Sequence, residues 1–565
     1  MSKDIKKSLS YMQVTKDFQK EAIKLNSITL SDRQVSDVEL ILNGAFNPLE
    51  GFMNKKDYDS VLKDMRLDNG DLWPIPITLD VNKKTIESFN LKEKSKISLR
   101  DKEGFLIAIM TVDDVWKVDK NNEAKCIYGT DNDHHPGVKY LYNNISDYYI
   151  GGSLKKVQLP HHYDYQLLRH TPEELKNQFK KSGWKKVVAF QTRNPMHRAH
   201  KEIAFNAAIE NNANLLIHPV VGPTKPGDID HYTRVRCYQK VLNYFPEGTT
   251  TLSLLPLAMR MAGPREALWH ALIRKNYGCT HIIIGRDHAG PGKDEKGNPY
   301  YGPYDAQNLL LKHEDEIGIK MVPFKMMVYV EELDQYMQID SVPEGKTSLN
   351  ISGTELREKL EQGKKIPSWF TYPDIVKELQ KVYPIKEKQG FTLFFSGLSG
   401  SGKSTIANGV LVKLLEHGDR KVTLLDGDIV RTHLSSELGF SKEHRELNVR
   451  RIGYVASEIT KNGGIALCAP IAPFKESRNI NRNLINQCGN YIQIYVSTPL
   501  KECERRDVKG LYAKVRAGEL KGFTGIDDPY ETPENCEMVI DTTNISPEEA
   551  VQEVMLYLEK EGLIN

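Results

Sequence analysis

The chain has 565 residues, of which 39% are hydrophobic and 27% charged, and its formal net charge is +2 from 77 basic and 75 acidic residues. This near balance excludes the strong positive field that attracts nucleic acid or an anionic membrane, so we expect neither as a partner. The length predicts several domains rather than one hydrophobic core.

The sequence predicts a cytoplasmic protein. No apolar run approaches the roughly 20 residues that span a bilayer, and residues 1–7 lack the apolar segment of a signal peptide. The seven cysteines are scattered and form no C-x-x-C pair. They therefore predict neither a zinc site nor a disulfide framework, and they fit a reducing compartment.

Residues 1–165 predict a mostly β domain, because short apolar runs alternate with turns and few long helical periods occur. The predicted strands lie at 73–79, 95–99 and 105–110.

Residues 166–330 predict a parallel α/β sheet, because strands there alternate with helices. The predicted strands are 186–190, 214–218, 251–255 and 281–285, and helices are expected at 199–211 and 265–277. Residues 331–385 are acidic and contain prolines, which indicates a small connecting domain. Residues 386–565 form the last predicted domain, so the whole chain is expected to be an α/β multidomain protein.

Residues 191–200 (QTRNPMHRAH) directly follow a predicted strand and open a helix. His197 and His200 share one helix face in the first turn, where unpaired N–H groups and the helix dipole attract anions. The motif is rich in donors and has no carboxylate, so it suits a polyanion better than a metal. The alternative is that one histidine caps the helix and the other packs in the core.

Residues 285–292 (GRDHAGPG) also follow a predicted strand. Ligands of open α/β sheets bind beyond the carboxyl ends of strands, so this motif and residues 191–200 are expected to meet at one ligand. Residues 259–265 (MRMAGPR), between them in sequence, are expected to add cationic groups.

Together these motifs resemble ATP sulfurylase (sulfate adenylyltransferase), of the HxxH nucleotidyltransferase group. The resemblance covers residues 1 to about 385 and includes 43–52 and 301–307. It implies a PUA-like β-rich N-terminal domain and a Rossmann-like catalytic domain. The implied reaction joins sulfate to the α-phosphate of ATP, giving adenosine 5′-phosphosulfate and pyrophosphate.

The resemblance also implies site residues. Gln191 and Arg193, with the backbone at Ala289, would hold sulfate, and His197 and His200 would bind the β- and γ-phosphates. Sulfate is already deprotonated at neutral pH, so positioning and charge stabilisation are needed rather than a general base. The active-site trio would be Thr192, Arg193 and Asn194, and the nucleotide would be surrounded by Arg286, Asp287, His288 and Met327.

Residues 397–405 (GLSGSGKST) match the phosphate-binding loop pattern G-x-x-x-x-G-K-[ST] and lie between a predicted strand, 391–396, and a predicted helix, 405–415. Lys403 is expected to reach the β- and γ-phosphates of ATP, and Ser404 to ligate the Mg²⁺ that accompanies it. No other bound metal is expected. The ATP-binding residues predicted here are Gly397, Gly400, Ser401, Gly402, Lys403, Ser404 and Thr405.

Asp426 and Asp428 follow another predicted strand, where a carboxylate can orient a Mg²⁺-bound water or accept a hydroxyl proton. Basic residues mixed with Phe440 and Phe523 suit a ligand with a flat base and anionic groups. The alternative for single basic residues such as Arg450 is a solvated helix face.

These features resemble adenylylsulfate kinase over residues 386–565. The resemblance implies transfer of the γ-phosphate of ATP to the 3′-hydroxyl of adenosine 5′-phosphosulfate. The implied substrate contacts are Asp428, Arg431, Phe440, Arg445, Asn448, Ile471, Ala472, Lys509, Gly522 and Phe523. Many members have Ser at position 472, so Ala472 excludes a phosphoenzyme there, and Leu447 replaces a usual Glu.

Two functions follow for the C-terminal domain. The first is a working kinase in a homo-oligomeric, bifunctional enzyme. The second is a silent module that senses nucleotide, as in fungal relatives that have lost the working loop; the intact Lys403, Ser404, Asp426 and Asp428 favour the kinase. A third alternative, a sulfurylase running backwards to make ATP, is disfavoured because the kinase would compete for the same nucleotide.

Overall fold

A computed structural model describes residues 20–224, 228–323 and 326–565. The chain folds into two compact units, each with its own hydrophobic core. Unit 1 comprises the described residues up to 352 together with 366–379, and unit 2 comprises 353–365 and 380–565. The finer division into four domains remains a prediction. Within the described residues, no helix has the length and apolar character needed to cross a membrane.

The first sheet of unit 1 has six strands in the order β1-β4-β5-β6-β2, with β3 also paired to β6. Only β1 and β4 run parallel. The strands are β1 (Ser27–Thr29), β2 (Gly51–Phe52), β3 (Leu79–Val81), β4 (Lys96–Arg100), β5 (Leu106–Lys117) and β6 (Tyr148–Lys156). The predicted strands at 95–99 and 105–110 are confirmed as β4 and the first part of β5.

The predicted strand at 73–79 is wrong over most of its length, because the regular strand begins only at Leu79. Pro74 and Pro76 have no N–H group to donate to a neighbouring strand. The apolar side chains are nevertheless buried, and Trp73 and Ile77 are both 0% exposed. The apolar pattern therefore reports burial here rather than pairing.

The second sheet of unit 1 is a parallel sheet of five strands in the order β11-β10-β7-β8-β9. The strands are β7 (Val187–Phe190), β8 (Asn214–Ile217), β9 (Thr250–Leu252), β10 (His281–Ile284) and β11 (Lys320–Pro323). The predicted parallel α/β sheet is confirmed. Because β7 and β10 are direct neighbours, the loops that follow them leave the same edge of the sheet side by side.

A small antiparallel sheet follows in unit 1, in the order β13-β12-β14. Its strands are β12 (Met327–Val330), β13 (Gln335–Gln338) and β14 (Ser348–Leu349). Unit 2 contains a parallel sheet in the order β16-β17-β15-β18-β19. Its strands are β15 (Phe391–Gly397), β16 (Val422–Asp426), β17 (Ile465–Ala469), β18 (Asn490–Val496) and β19 (Met538–Ile540).

The helices begin at polar caps where the sequence provides them. Ser31, Thr171 and Ser546 each form a capping box with the residue three positions later. The helices of unit 1 are Asp32–Leu42, Lys55–Asp64, Lys83–Phe89, Lys120–Tyr128, Pro136–Asn144, Pro172–Lys181, Arg198–Glu210, His231–Leu242, Gly263–Asn276, Asp305–Ile317 and Pro373–Gln380. Those of unit 2 are Gly353–Glu361, Lys403–His417, Gly427–His433, Lys442–Lys461, Lys475–Ile485, Leu500–Arg506, Leu511–Arg516 and Pro547–Lys560.

A buried ion pair joins the helix Asp32–Leu42 to the segment that leads into the helix Gly263–Asn276. Arg260 Nη2 donates to both carboxylate oxygens of Asp37, at 2.8 and 2.6 Å, and its Nη1 donates to the Ala258 carbonyl at 2.6 Å. The two side chains are 6% and 2% exposed. Removal of the carboxylate charge would leave a buried guanidinium without compensation.

We therefore expect Asp37→Asn to lower the free energy of unfolding by about 3–5 kcal/mol, the usual result of breaking one side of a buried pair. All five tryptophans (73, 116, 184, 269 and 369) belong to unit 1, so urea unfolding followed by tryptophan fluorescence reports on this unit alone. The control is Asp32→Asn, which breaks an exposed pair with Lys102 and should cost about 0–1 kcal/mol. Equal losses in both variants would contradict the expectation.

Candidate active sites

The loops after β7 and β10 line one cavity of about 760 Å³ in unit 1. The sheet explains this convergence, because the two strands are hydrogen-bonded neighbours and both loops leave at their carboxyl ends. The residues predicted from sequence that line the cavity are Gln191, Thr192, Arg193, Asn194, His200, Arg286, Asp287, His288 and Ala289.

Two predicted residues lie beside this cavity rather than among its lining residues. His197 packs against the ring of Phe370 at 4.6 Å between centroids, and its Nδ1 lies 3.0 Å from Thr371 Oγ1. The backbone N–H of His197 donates to His200 Nδ1 at 3.2 Å, which orients the His200 ring at the start of its helix. Met327 begins β12, and its neighbour Met326 lines the cavity instead.

The histidines of this site are neutral in the free protein. Burial lowers the pKa of His200 to about 4, and burial with the nearby His200 lowers the pKa of His197 to about 3. Burial, followed by His270, Arg274 and Arg193, holds the pKa of His288 well below its ordinary value. The imidazoles therefore offer hydrogen bonds rather than positive charge, and the arginines supply the charge.

Arg193 already has an anionic partner. Its Nη1 lies 3.2 Å from Asp228 Oδ2 and 3.6 Å from Met261 Sδ, and its side chain is 19% exposed. Arg286 lies over the ring of Tyr304, with 5.7 Å from its guanidinium carbon to the ring centroid. Asp228 occupies Nη1 of Arg193, and the guanidinium has further N–H donors that can bind an anion in the cavity.

The expectation that residues 259–265 add cationic groups to the site is wrong. Arg260 is buried against Asp37, and Arg265 donates to the carbonyls of Val61 and Leu62 at 3.0 and 2.9 Å. Both guanidinium groups therefore bind the N-terminal part of unit 1, Arg260 through a carboxylate and Arg265 through backbone carbonyls. Of this segment, only Met259 lines the cavity.

The loop after β10 depends on unusual backbone conformations. Asp287 and Ala289 have φ of 49° and 57°, in the left-handed region. A side chain at Gly290 would place its Cβ 1.9 Å from Asp287 Oδ1, so the Asp287 carboxylate would have to move to accommodate it. The Ala289 carbonyl accepts a hydrogen bond of 3.2 Å from the Gly263 backbone N–H, which holds the loop against the start of the helix Gly263–Asn276.

Nothing in the sequence indicated that Asp228, Phe370 and Thr371 lie beside this site. Each lies far along the chain from the residue it contacts, and none belongs to a recognisable motif. Tyr301, which also lines the cavity, lies in a segment noted only by resemblance, and its hydroxyl donates to the Tyr128 carbonyl at 3.1 Å.

The second site is the phosphate-binding loop of unit 2, between β15 and the helix Lys403–His417. Gly400 and Gly402 have φ of 73° and 104°, which a residue with a side chain rarely adopts. Gly402 caps the helix and directs the free N–H groups of its first turn toward the loop. The Ser401 carbonyl accepts hydrogen bonds from Thr498 and Thr542, each at 3.0 Å, which fixes the loop to the sheet.

Lys403 and Ser404 are held in place within this loop. Lys403 is 7% exposed and donates to the Leu398 carbonyl at 2.7 Å, and burial lowers its pKa to about 8. Ser404 Oγ donates to Asp426 Oδ2 at 2.8 Å, and Asp426 Oδ1 accepts the backbone N–H of Asp428 at 3.0 Å. The hydroxyl and the carboxylate at the end of β16 therefore form a pair of oxygen ligands suited to Mg²⁺.

Asp428 forms an ion pair with Lys509 in the free protein. The segment after Lys509 is tied to the phosphate-binding loop, because Tyr512 OH donates to the Ser399 carbonyl at 2.8 Å. Phe523 packs edge-on against Tyr512, with 5.1 Å between ring centroids. These contacts bring three of the predicted segments together around Asp428.

Arg431, Phe440 and Arg445, three more of the predicted residues, fall into two contact groups. Arg431 lies 4.5 Å from the centroid of the Phe440 ring, which is 74% exposed. Arg445 donates to Thr524 Oγ1 at 2.7 Å and forms an ion pair with Asp528, which places it beside Gly522 and Phe523.

Two residues, Ala472 and Leu447, depart from the kinase pattern. Ala472 is 1% exposed and has a φ of 47°, and its carbonyl accepts a hydrogen bond of 2.7 Å from Arg478. Leu447 is 37% exposed, and Arg451 instead pairs with Glu437 at 2.6 Å. Glu437 thus supports Arg451 from another segment.

The described residues hold no group of three or more His, Cys, Asp and Glu side chains placed to bind a metal ion. A metal that enters either site therefore has to bring most of its ligands with it. A nucleotide polyphosphate does so, and in unit 2 Ser404 and Asp426 would complete its coordination.

Three family models match the chain: a PUA-like domain over residues 2–159, an ATP-sulfurylase over 166–382 and an adenylylsulphate kinase over 389–541. The chain is 53% identical to a sulfate adenylyltransferase of Phaeosphaeria nodorum, over 96% of this chain and 95% of the relative. It is 52% identical to one of Mycosarcoma maydis, over 98% and 97%. A solved structure described as a hexameric APS kinase from Thiobacillus denitrificans is 37% identical, with a TM-score of 0.81 over 98% of this chain and 97% of that one. The predicted fold class is thereby confirmed.

The low pKa of His200 predicts a pH dependence of stability. Its pKa falls from an ordinary value of 6.5 to about 4 on folding, so the unfolded chain binds more protons at acidic pH. The stabilisation is complete above pH 6.5 and is lost as the pH falls toward 4. We expect the urea midpoint of unit 1, read by tryptophan fluorescence, to fall less steeply over this range in His200→Gln. The exposed His161 provides a control, His161→Gln, which should leave the slope unchanged.

Proposed function

This chain belongs to the sulfate adenylyltransferase family, and we propose that it activates sulfate in two successive reactions, one in each unit. Unit 1 joins sulfate to the α-phosphate of ATP, and unit 2 phosphorylates the product at its 3′-hydroxyl. The observation that supports the first reaction is the single cavity lined by both motifs. The observation that supports the second is the phosphate-binding loop, in which Lys403 is hydrogen-bonded to the loop backbone and Ser404 to Asp426.

In unit 1 the chemistry requires two anions to be held in line and the charge of the departing pyrophosphate to be stabilised. Arg193 is the cation best placed for sulfate, which it can bind through the guanidinium N–H groups that do not face Asp228. Gln191 and the Ala289 backbone line the same cavity and add neutral donors. His200 faces the cavity from the first turn of its helix, where a polyphosphate is favoured by the helix N-terminus.

In unit 2 the loop N–H groups and Lys403 hold the phosphates of MgATP. Asp428 is itself among the predicted substrate contacts, and Lys509 pairs with only one of its carboxylate oxygens, so the other can accept a hydroxyl proton. Arg431 with Phe440, and Arg445 with Thr524 beside Phe523, suit the phosphosulfate and the adenine of the acceptor. Ala472 has no hydroxyl, so the phosphoryl group passes directly between the two substrates.

Fusion of the two reactions has a thermodynamic reason. A phosphate–sulfate mixed anhydride is high in energy, so the first reaction is unfavourable. A second ATP used on its product draws the sequence forward. We also propose a homo-oligomer, since the solved structure that matches nearly the whole chain is described as hexameric.

The second candidate function is a sulfurylase whose unit 2 only senses nucleotide. It draws support from the fungal relatives, which are at least 52% identical in the pairs quoted above and are named only for sulfate adenylyltransferase. Against it, a sensor needs neither the lysine nor the serine–carboxylate pair that this chain retains in an ordered arrangement. We therefore favour the working kinase.

Arg193→Ala should reduce sulfate-dependent pyrophosphate release by about 10²-fold or more, because it removes the main charge-stabilising donor. The same protein should keep its kinase reaction, read as ADP formed from ATP and adenosine 5′-phosphosulfate. Arg236→Ala is the matched control, since Arg236 belongs to the same unit but pairs with Glu378 outside the cavity. Loss of both reactions in a folded Arg193→Ala protein would contradict two independent sites.

Lys403→Ala should give the opposite result: an intact sulfurylase reaction and a kinase reaction reduced about 10²-fold or more. Lys413→Ala provides the control, because Lys413 lies on the same helix but is exposed and pairs with Glu416. If the unaltered chain forms no more ADP than Lys403→Ala, unit 2 is a sensor and not a kinase.

A further inference from the structure

Two fully buried side chains lie directly behind the cavity of unit 1. Glu266 and His270 are both 0% exposed and lie one turn apart on the helix Gly263–Asn276. Glu266 Oε1 is 3.4 Å from His270 Nε2, and His270 Nδ1 is 3.0 Å from His288 Nε2. His288 lines the cavity. The three groups form a row from the core to the site.

Glu266 is ionised although it is buried. Burial alone would raise its pKa, but His270 and the backbone N–H groups of Arg260 and Ala262 outweigh burial and lower it. The two backbone hydrogen bonds are 2.9 Å long, one to each carboxylate oxygen. A carboxylate therefore faces His270 Nε2.

This carboxylate decides where the proton of His270 lies. The 3.4 Å contact lies outside regular hydrogen-bond geometry, but a ring nitrogen lone pair at that distance from a carboxylate oxygen would be repelled, so Nε2 carries the hydrogen. Burial lowers the pKa of His270, so its ring is neutral and Nδ1 is unprotonated. Nδ1 can then only accept a hydrogen bond from His288 Nε2.

The same reasoning continues to His288. Its Nε2 has to carry a hydrogen in order to donate to His270. Burial, together with His270, Arg274 and Arg193, disfavours the doubly protonated ring. The remaining nitrogen, Nδ1, is therefore a lone pair, and it forms no hydrogen bond with any part of the chain that the structure describes. A lone pair repels phosphate oxygens and attracts an N–H or O–H group.

We propose that Glu266 and His270 are positioning residues that hold His288 in its Nε2–H form, so that His288 Nδ1 accepts a hydrogen bond from the nucleoside part of ATP. The donor is a ribose hydroxyl or the adenine amino group, and not a phosphate. This inference rests on the proposed sulfurylase function of unit 1. It assigns His288 to recognition of the nucleoside, leaves sulfate to Arg193, and leaves the phosphates to His200 and the helix N-terminus.

The tautomer can be observed directly. Magic-angle-spinning NMR of the full chain labelled with [¹⁵N]histidine distinguishes protonated from unprotonated ring nitrogens, and His288→Gln identifies the His288 signals by difference. We expect a protonated Nε2 and an unprotonated Nδ1. In His270→Phe the signals should move toward a mixture of both tautomers. In His270→Asn they should stay, because the amide oxygen can accept the same hydrogen bond.

Binding provides a second readout. Calorimetry is performed in a Lys403→Ala background, which weakens nucleotide binding in unit 2, and the data are fitted with two sites. ATP binding to the unit 1 site should be weakened about fivefold by His270→Phe, the worth of one hydrogen bond, and nearly unchanged by His270→Asn. The donors are tested with 2′-deoxy-ATP, 3′-deoxy-ATP and purine riboside 5′-triphosphate, which lacks the amino group. The analogue that lacks the donor cannot form this hydrogen bond with either protein. It should therefore bind equally well to the parent chain and to His270→Phe.

The inference is overturned if His288 Nδ1 is protonated in the parent chain, if His270→Asn is as damaging as His270→Phe, or if all three analogues remain sensitive to His270→Phe. Circular dichroism and the tryptophan unfolding midpoint verify that each variant is folded. The NMR result needs no turnover, so it separates the two proposals. A chain that shows the expected tautomer but makes no adenosine 5′-phosphosulfate would contradict the proposed function and not the tautomer.

Discussion

The parallel pairing of β10 with β7 is the constraint on which the first site depends. Parallel neighbours end at the same edge of a sheet, so the loops that follow them meet although they are distant in sequence. The cavity forms because each loop turns away from the sheet at that edge, one into a helix N-terminus and the other through left-handed residues. A change of strand order would separate Arg193 from His288 without altering either motif.

In unit 2 the site also forms where parallel strands end at one edge of the sheet, but the two strands that contribute to it are not direct neighbours. β17 lies between β15 and β16, and the helix that begins at Lys403 brings Ser404 within 2.8 Å of Asp426 at the end of β16. Glycines let the loop between β15 and this helix follow a path closed to other residues. Both units therefore place an anion-binding helix N-terminus at the carboxyl edge of a parallel sheet.

In each site some of the cations are paired with a carboxylate before a substrate arrives. Arg193 pairs with Asp228, Arg445 with Asp528 and Lys509 with Asp428. A partly buried cation without a partner is costly, and a carboxylate compensates it in the free protein. An anion that binds near these pairs therefore meets cations whose charge is already partly compensated. The neutral histidines complement this arrangement, because they add hydrogen bonds without adding charge that needs compensation.

The sequence by itself determined the motifs, the strand or helix on which each lies, and the parallel sheets, because these depend on local spacing and on the alternation of strands with helices. It also predicted two anion sites, since each motif combines a strand end, a helix start and a set of donors within a few residues. Tertiary structure decided which distant side chains complete them. It directed Arg260 to Asp37 and Arg265 to backbone carbonyls, supplied Asp228 to Arg193, and set Glu266 and His270 behind His288. Buried charges and polar groups must find partners, and the nearest partner in space is fixed by packing between segments that have no regular separation along the chain.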